Sequence, residues 1–287
     1  MSILFVINPV SGGKSNIDWE AVITEFYSTQ QFTINICLLS GENDESSVKD
    51  NIEKCSPDIV VAVGGDGTVG IVAKLILGTP IALGIIPAGS ANGMAKELEI
   101  PGEPAEAMKI IANGKTKDAD VIKINDEHIC LHLSDIGLNA RLIKYFEEGN
   151  MRGKIGYASK VMKTLWTKSL MKVNIVAAGE ETTHAALMVV LANASKYGTG
   201  AVINPGGNLY DGLFEVVIMR RLAFSELLKM WFRPQPFDPK KIRVVKATSV
   251  TIETSKKVHF QVDGEYLGKI NYLKAKILPA QLKIVVP

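Results

Sequence analysis

Thiol and imidazole side chains are scarce in this chain of 287 residues, which has three cysteines and four histidines. Cys37, Cys55 and Cys130 are odd in number and share no metal-ligand spacing. That argues against a disulfide framework or a thiolate metal site and suits reduced thiols in a cytosolic protein. His128, His132, His184 and His259 lack metal spacing too and read as structural or surface residues. No apolar run reaches the roughly 18 residues of a membrane span. The opening MSILFVINP has no basic segment before its short apolar run and no small-residue cleavage site after it, so it reads as a first strand rather than a signal peptide. Internal repeats and low-complexity segments are absent, and no stretch fits the GxxxxGK[ST] phosphate loop.

What is present is a globular composition, 47% apolar and 22% charged, long enough for one large or two ordinary domains. The net charge of +2 hides an asymmetry. Residues 1–120 carry 8 Lys+Arg against 16 Asp+Glu, and residues 121–287 carry 24 against 14. The basic half suits an anionic partner such as lipid headgroups or nucleotide; a boundary between two ordinary domains explains the same contrast.

The first half alternates strand and helix. Strands are predicted at Ile3–Ile7, Phe32–Leu39, Ile59–Val63 and Ile81–Ile86. Helices are predicted at Ser15–Tyr27, Asp44–Ile52, Val69–Leu77, from Ala91, and at Pro104–Ala112. Repeated βα units with continuously apolar strands imply a Rossmann-like parallel sheet covered on both faces. After about Lys117 short strand-like runs dominate: Ala119–Ile124, Ile129–Ser134, Lys172–Ala177, Ala185–Ala192, Leu213–Met219, Val250–Glu253, Val258–Val262 and Leu282–Val286. Helical insertions fall near Ala140–Glu148 and Gly156–Leu165. This predicts an α/β domain over residues 1–118 and an antiparallel β-sandwich over 119–287.

Ligands bind parallel α/β sheets beyond the carboxyl ends of the strands. Three glycine-bearing loops are predicted there: Asn8-Pro9-Val10-Ser11-Gly12-Gly13-Lys14, Gly64-Gly65-Asp66-Gly67-Thr68, and Pro87-Ala88-Gly89-Ser90-Ala91-Asn92-Gly93. Glycine allows a sharp turn and close backbone approach, and free N–H groups at a helix start favour phosphate. The three together suggest a triphosphate held by backbone amides, with Lys14 adding a point charge. Ser11–Lys14 alone reads as an ordinary tight turn. Asp66 is harder to dismiss, because a carboxylate with no sequence-local partner beside a phosphate site faces a metal ion or takes a proton.

These motifs, with Asn208-Leu209-Tyr210-Asp211-Gly212 and Val262-Asp263-Gly264-Glu265 later in the chain, resemble the diacylglycerol kinase catalytic domain. That family includes bacterial lipid kinases and the sphingosine and ceramide kinases, and the resemblance extends over nearly the whole chain. It implies an N-terminal nucleotide-binding domain and a C-terminal β-sandwich with the active site in the cleft. It also implies ATP and Mg²⁺ as cofactors, a lipid alcohol rather than a nucleic acid as partner, and γ-phosphate transfer to the lipid hydroxyl. By resemblance Glu265 is the proton acceptor and Asp66 sits by the phosphates, while Asp211 ligates Mg²⁺ with Asn208 and the carbonyl of Leu213. Ser40 and Ser90 correspond to nucleotide-contacting positions. On their own, Asp263-Gly264-Glu265 and Asp211-Gly212 read as plain hairpin turns. The chain departs from the family at Val69-Gly70-Ile71, where Asn-Glu is common, at Gly93, where Asp is common, and at Asn139, where an acid is common.

Met219–Lys246 carries eight Lys/Arg against Glu226 and Asp238, with Phe224, Leu227, Leu228 and Trp231 able to share a helix face. Two readings fit: a helix at an anionic membrane surface, or a helix packed on the sandwich with a solvated basic rim. The expected location is cytoplasmic, with the inner face of the membrane as the place of any peripheral contact. The alternatives to a lipid kinase are an NAD kinase-like enzyme with a soluble polar acceptor, since that class also uses a GGDG loop, and a homologue that binds but does not turn over.

Overall fold

The computed structural model describes residues 1–12, 17–147, 170–198, 200–221, 223–232 and 236–287. The predicted helix at Gly156–Leu165 and the site candidates Gly13 and Lys14 lie outside the described residues. The chain forms two compact units: Met1–Ala119 with Ala280–Pro287, and Asp120–Pro279. The sequence reading had placed all of 119–287 in the second domain, so the assignment of Ala280–Pro287 differs.

In the first unit, strands β1 (Ser2–Ile7), β2 (Thr33–Leu38), β3 (Ile59–Gly64) and β4 (Ala82–Pro87) alternate with helices α1 (Trp19–Tyr27), α2 (Asp44–Cys55), α3 (Asp66–Ile76), α4 (Gly93–Glu97) and α5 (Pro104–Asn113). The sheet order is β4-β3-β1-β2, all parallel. Ile284 of the returning segment pairs parallel with Leu83 on the free side of β4. Strands β3 and β4 are buried along their whole length, as expected of strands covered on both faces. Helix α1 starts at Trp19 because the Asp18 carboxylate accepts the Ala21 N–H at 3.1 Å. Its buried residues Trp19, Ile23 and Tyr27 recur every fourth position. Proline opens α5 at its first turn, where a missing N–H costs nothing.

The second unit holds the second half of β5 (Lys115–Ile124), then β6 (His128–Cys130), β7 (Leu133–Gly137), α6 (Leu138–Glu147), β8 (Met171–Ala177), β9 (Glu180–Ala186), β10 (Met188–Ala192), β11 (Phe214–Met219), α7 (Phe224–Phe232), β12 (Ile242–Ala247), β13 (Ser249–Val262) and most of β14 (Glu265–Val286). Neighbours β12-β11-β10-β7-β13-β14 pair antiparallel, and β8 and β9 continue from the first half of β13. The runs read as Val250–Glu253 and Val258–Val262 are one strand with a register shift between them, since polar Thr254–Lys257 continues the extended chain with Ser255, Lys256 and Lys257 exposed. Conversely, Ile129–Ser134 divides into β6 and β7, and Ala185–Ala192 into β9 and β10. Strand β12 was not anticipated inside the basic stretch.

Strands β10 and β11 are buried on both faces. Val189, Leu191, Val216 and Ile218 enter one core with Phe214 and Phe260. Met188, Val190, Val217 and Met219 face the opposite side and pack with Met230 of α7, Phe237 and Ile242. Alternation along one strand thus feeds two cores.

Candidate functional site

In the first unit the loops after β1, β3 and β4 meet at the carboxyl ends of their strands. Asn8 opens the first loop: its N–H donates to the Val63 carbonyl at 3.0 Å, and its side-chain oxygen accepts the Val10 N–H at 3.1 Å. Gly12 has φ +74°, and a Cβ there would lie 2.6 Å from the Ala88 carbonyl oxygen. Gly65 and Gly89 pack backbone on backbone, and a Cβ on Gly89 would overlap the Gly65 Cα. Glycine is required at these contacts because the loops touch there. The structure therefore brings together Asn8, Pro9, Ser11 and Gly12 with Gly64–Thr68 and Gly89–Asn92.

Asp66 is the first residue of α3, not a residue of the preceding loop, and its carboxylate has partners the sequence did not reveal. It accepts the N–H groups of Gly93 at 2.9 Å and Met94 at 3.1 Å, at the start of α4. Asn92, at φ +52°, accepts the Gly89 N–H at 2.9 Å and donates to the Gly89 carbonyl at 2.8 Å. The second and third loops are thus locked together, and many of their amides are engaged in doing so. The first-turn N–H groups of α3, at Asp66, Gly67 and Thr68, have no intrahelical acceptor and are the donors best suited to an anion. Thr68 is buried, and Ser90 is exposed on its turn. Ser40 follows β2, at the far side of β1 from β3. Its N–H bonds Asp44 and its hydroxyl donates to the Glu42 carbonyl, both within its own turn.

In the second unit Asn208, Asp211 and Leu213 share one loop. The Asn208 side-chain oxygen accepts the Tyr210 N–H, and Asp211 Oδ1 accepts the Leu213 N–H, each at 3.1 Å. Asp211 Oδ2 faces the Lys246 ammonium at 3.2 Å, and Lys246 also reaches Glu215 at 3.5 Å. Burial pushes the Glu215 carboxyl up from its ordinary range, with Asn204 and Lys246 opposing that shift. Oxygen donors of this kind suit Mg²⁺, which is commonly held by one or two carboxylates plus substrate phosphates. The three residues fit magnesium in that manner, with Lys246 as the cation that answers Asp211 otherwise. Among the described residues, no group of three or more His, Cys, Asp or Glu forms an all-protein metal cage.

Glu265 is the first residue of β14, not a loop residue. Asp263 and Gly264, at φ +47° and +93°, form the two-residue turn that closes the Val262–Glu265 pair. Asp263 is fixed by three backbone donors: Leu131 at 2.7 Å, His132 at 2.9 Å and Leu133 at 3.0 Å. Burial pushes its carboxyl up, and the Leu131 N–H is the main opposing influence. The Gly264 N–H donates to Gln261 Oε1 at 2.8 Å, and Gln261 Nε2 donates to Asp135 at 2.6 Å. Burial raises Asp135 to about 6, opposed by bonds from Asn139, Gln261, Ala140 and Tyr197. Asn139 donates its amide N–H to the Asp135 carboxylate at 2.6 Å.

A hydrogen-bond chain that sequence reasoning missed joins the Asn208–Leu213 loop to this hairpin. Gly212 donates its N–H to the Asp120 carboxylate at 2.6 Å. The Asn193 amide nitrogen donates to the carbonyls of Asp120 and Leu131, each at 2.8 Å. The Leu131 N–H then donates to Asp263. The one signal in the sequence was a polar residue, Asn193, closing the apolar run Met188–Ala192.

Comparisons with known proteins agree with this organisation. Residues 2–124 match the family described as "Diacylglycerol kinase catalytic domain", and residues 134–286 match the "YegS C-terminal NAD kinase beta sandwich-like domain". A "Probable lipid kinase YegS-like" of Pectobacterium atrosepticum is 25% identical over 99% of this chain and 95% of its own length. The "Diacylglycerol kinase" of Bacillus subtilis is 26% identical over 74% of this chain and 73% of its own. The crystal structure of a diacylglycerol kinase from Bacillus anthracis has a TM-score of 0.78 at 21% identity, covering 100% of this chain and 97% of that one. An NAD kinase from Archaeoglobus fulgidus, solved with ATP, has a TM-score of 0.56 at 14% identity, covering 99% and 93%. The fold is that of these proteins: a mixed α/β domain followed by a β-sandwich-like domain.

Proposed function

This chain belongs to the YegS-like family, whose C-terminal β-sandwich-like domain matches more than half of it, and, with residues 2–124 matching the diacylglycerol kinase catalytic domain, we propose that it transfers the γ-phosphate of ATP to a lipid hydroxyl, with a diacylglycerol-like alcohol as acceptor. Family membership and the NAD-kinase-related fold support ATP-dependent phosphotransfer as the reaction class. The observation that carries the reading to this chain's own residues is the meeting of three loops at one sheet rim, with the open first turn of α3 among them.

In this reading the N–H groups of Asp66, Gly67 and Thr68 take the nucleotide phosphates. The loops of Asn8–Gly12 and Gly89–Asn92 hold that turn in place. Asn208, Asp211 and Leu213 hold Mg²⁺, which when bound neutralises phosphate charge. Phosphoryl transfer depends on positioning and charge neutralisation more than on covalent chemistry by the protein. Glu265 accepts the proton of the lipid alcohol as it leaves, since an alcohol is too weak an acid to ionise beforehand. Its exposed carboxylate at the end of a rigid two-residue turn suits that task.

The test offers γ-labelled ATP to a panel of lipid alcohols, with NAD as a soluble control. Label in a glycerolipid is the expected result. Label in NAD and in no lipid overturns the reading in favour of an NAD kinase-like enzyme. ATP binding with no transfer to any acceptor overturns it in favour of a binding homologue.

A further inference from the structure

Helix α7 presents two kinds of apolar side chain in opposite directions. Met230 is buried in the core beside β10 and β11. Glu226 is buried as well and is clamped by Lys229 and Lys241, each at 3.1 Å, and by the Asp238 N–H at 3.3 Å. Burial pushes the Glu226 carboxyl up, but the bonds from Lys241 and Lys229 outweigh it and hold the group at about 2. These contacts fix the roll of the helix. The face so left outward carries Trp231, 53% exposed, and Leu228, 42% exposed. The sequence left open whether the face with Leu228 and Trp231 packs on the sandwich or meets a membrane; both side chains are exposed, and Met230 packs in the core.

Cations collect at the strand ends to which the helix is tied. Strands β11 and β12 pair Met219 with Ile242, so Arg220, Arg221, Lys240 and Lys241 collect at the end of the ladder where α7 is tied down. Both Arg220 and Arg221 donate backbone N–H groups to the Lys241 carbonyl. Arg220 also reaches the His184 ring at 3.0 Å, and burial followed by the nearby Arg220 and Arg243 charges keeps that histidine's pKa low. The two acids of the stretch are both engaged: Glu226 as above and Asp238 by Lys241 at 3.4 Å. Arg221 and Lys240 make no ion pair among the described residues. The result is an exposed Trp-Leu pair on a helix tied to a ladder end that carries exposed, ion-pair-free Arg221 and Lys240.

We infer that α7 and the adjoining end of the β11–β12 ladder dock on an anionic lipid bilayer, with Trp231 and Leu228 entering the interface and Arg221 and Lys240 meeting the headgroups. Charge complementarity selects this occupant. A second copy of the chain would set the same cations against one another, whereas an anionic bilayer answers all of them. Tryptophan suits the interface because its ring is amphipathic. The proposal extends the lipid-kinase reading by naming the surface that would meet lipid, but it is tested without nucleotide, so either can fail alone.

The measurement is co-sedimentation of the full chain with vesicles of phosphatidylcholine, with and without phosphatidylglycerol. The wild-type chain should bind the anionic vesicles and release them at high salt. Trp231→Ala should weaken binding about tenfold or more through lost apolar burial. Arg221→Gln and Lys240→Gln should each weaken it about fivefold. Melting curves of each variant guard against unfolding, and transfer of phosphate to a short-chain, dispersed diacylglycerol checks the kinase reading separately. Equal binding to neutral and anionic vesicles overturns the proposal. So does wild-type affinity in a well-folded Trp231→Ala, or self-association that covers Trp231 in the absence of lipid.

Discussion

Replacing Asp66 separates a structural role from a chemical one. Its carboxylate accepts two backbone N–H groups, from Gly93 and Met94, and so pins the start of α4 to the start of α3. Hydrogen bonds to an ionised group contribute about 1.5–3 kcal/mol each. Asp66 is only part-buried, so the lower end applies, and Asp66→Ala should cost about 3 kcal/mol. Asp66→Asn keeps one acceptor and turns an amide N–H₂ toward an N–H donor, so it should cost about half as much. At roughly 3–4 °C per kcal/mol, the transition of the first unit should fall by about 10 °C in the alanine variant and about 5 °C in the asparagine variant. Differential scanning calorimetry without nucleotide reads this directly, and phosphate transfer by the same samples reads the chemistry. Transfer should be abolished in Asp66→Asn below its lowered melting temperature. An alanine variant that melts within about a degree of wild type would show that the two bonds contribute nothing. Full transfer by a folded Asp66→Asn would remove the carboxylate from the mechanism.

Glu265→Gln should lower kcat far more than it changes ATP affinity; an equal loss of nucleotide binding, by calorimetry, would make Glu265 a structural residue. Asp135→Asn should change the pH dependence of stability. Burial raises the folded-state pKa from 3.8 to about 6, so the folded state holds this proton more tightly. The resulting stability is fully present below about pH 4 and lost as pH rises through about 6, a span of about 3 kcal/mol. Denaturant melts between those values should show the slope reduced in Asp135→Asn, and an unchanged slope would refute the assignment. Asn193→Ala removes the buried donor shared by the carbonyls of Asp120 and Leu131, so it should destabilise the second unit by about 2 kcal/mol. It should also lower kcat with little change in KM for ATP; a loss confined to KM would mean that Asn193 does not position Glu265.

The first unit was legible because a parallel strand covered on both faces must be apolar throughout. Ile59–Val63 and Ile81–Ile86 could not be mistaken, and the glycines that follow them marked the rim. The second unit was harder for the same physical reason in reverse. Strand β13 passes through exposed, polar Ser255–Lys257, so its middle looked like a loop. Strand β12 has only Ile242 and Ala247 fully buried, with Arg243, Val244, Val245 and Lys246 between them partly or fully exposed, and was absorbed into the basic stretch. The site shows a similar division. Asp66 was identifiable as unusual, but its partners are backbone amides, which no residue letter records. Asp263 was visible as a turn residue, yet its three donors lie some 130 positions earlier in the chain. Glycine-rich turns are written locally, whereas hydrogen bonds that span the fold are not.

The segment Ala280–Pro287 has a consequence for how the protein is made. Ile284 lies beside Leu83 in the sheet, and Gln281 accepts the Gly78 N–H at 2.8 Å. The α/β half emerges first from the ribosome but lacks this neighbour until some 160 further residues have been translated. Until then β4 presents an unpaired, fully apolar edge, the kind of surface on which nascent chains aggregate. Expressing residues 1–119 alone would make that temporary exposure permanent, and adding a peptide corresponding to 280–287 should restore solubility.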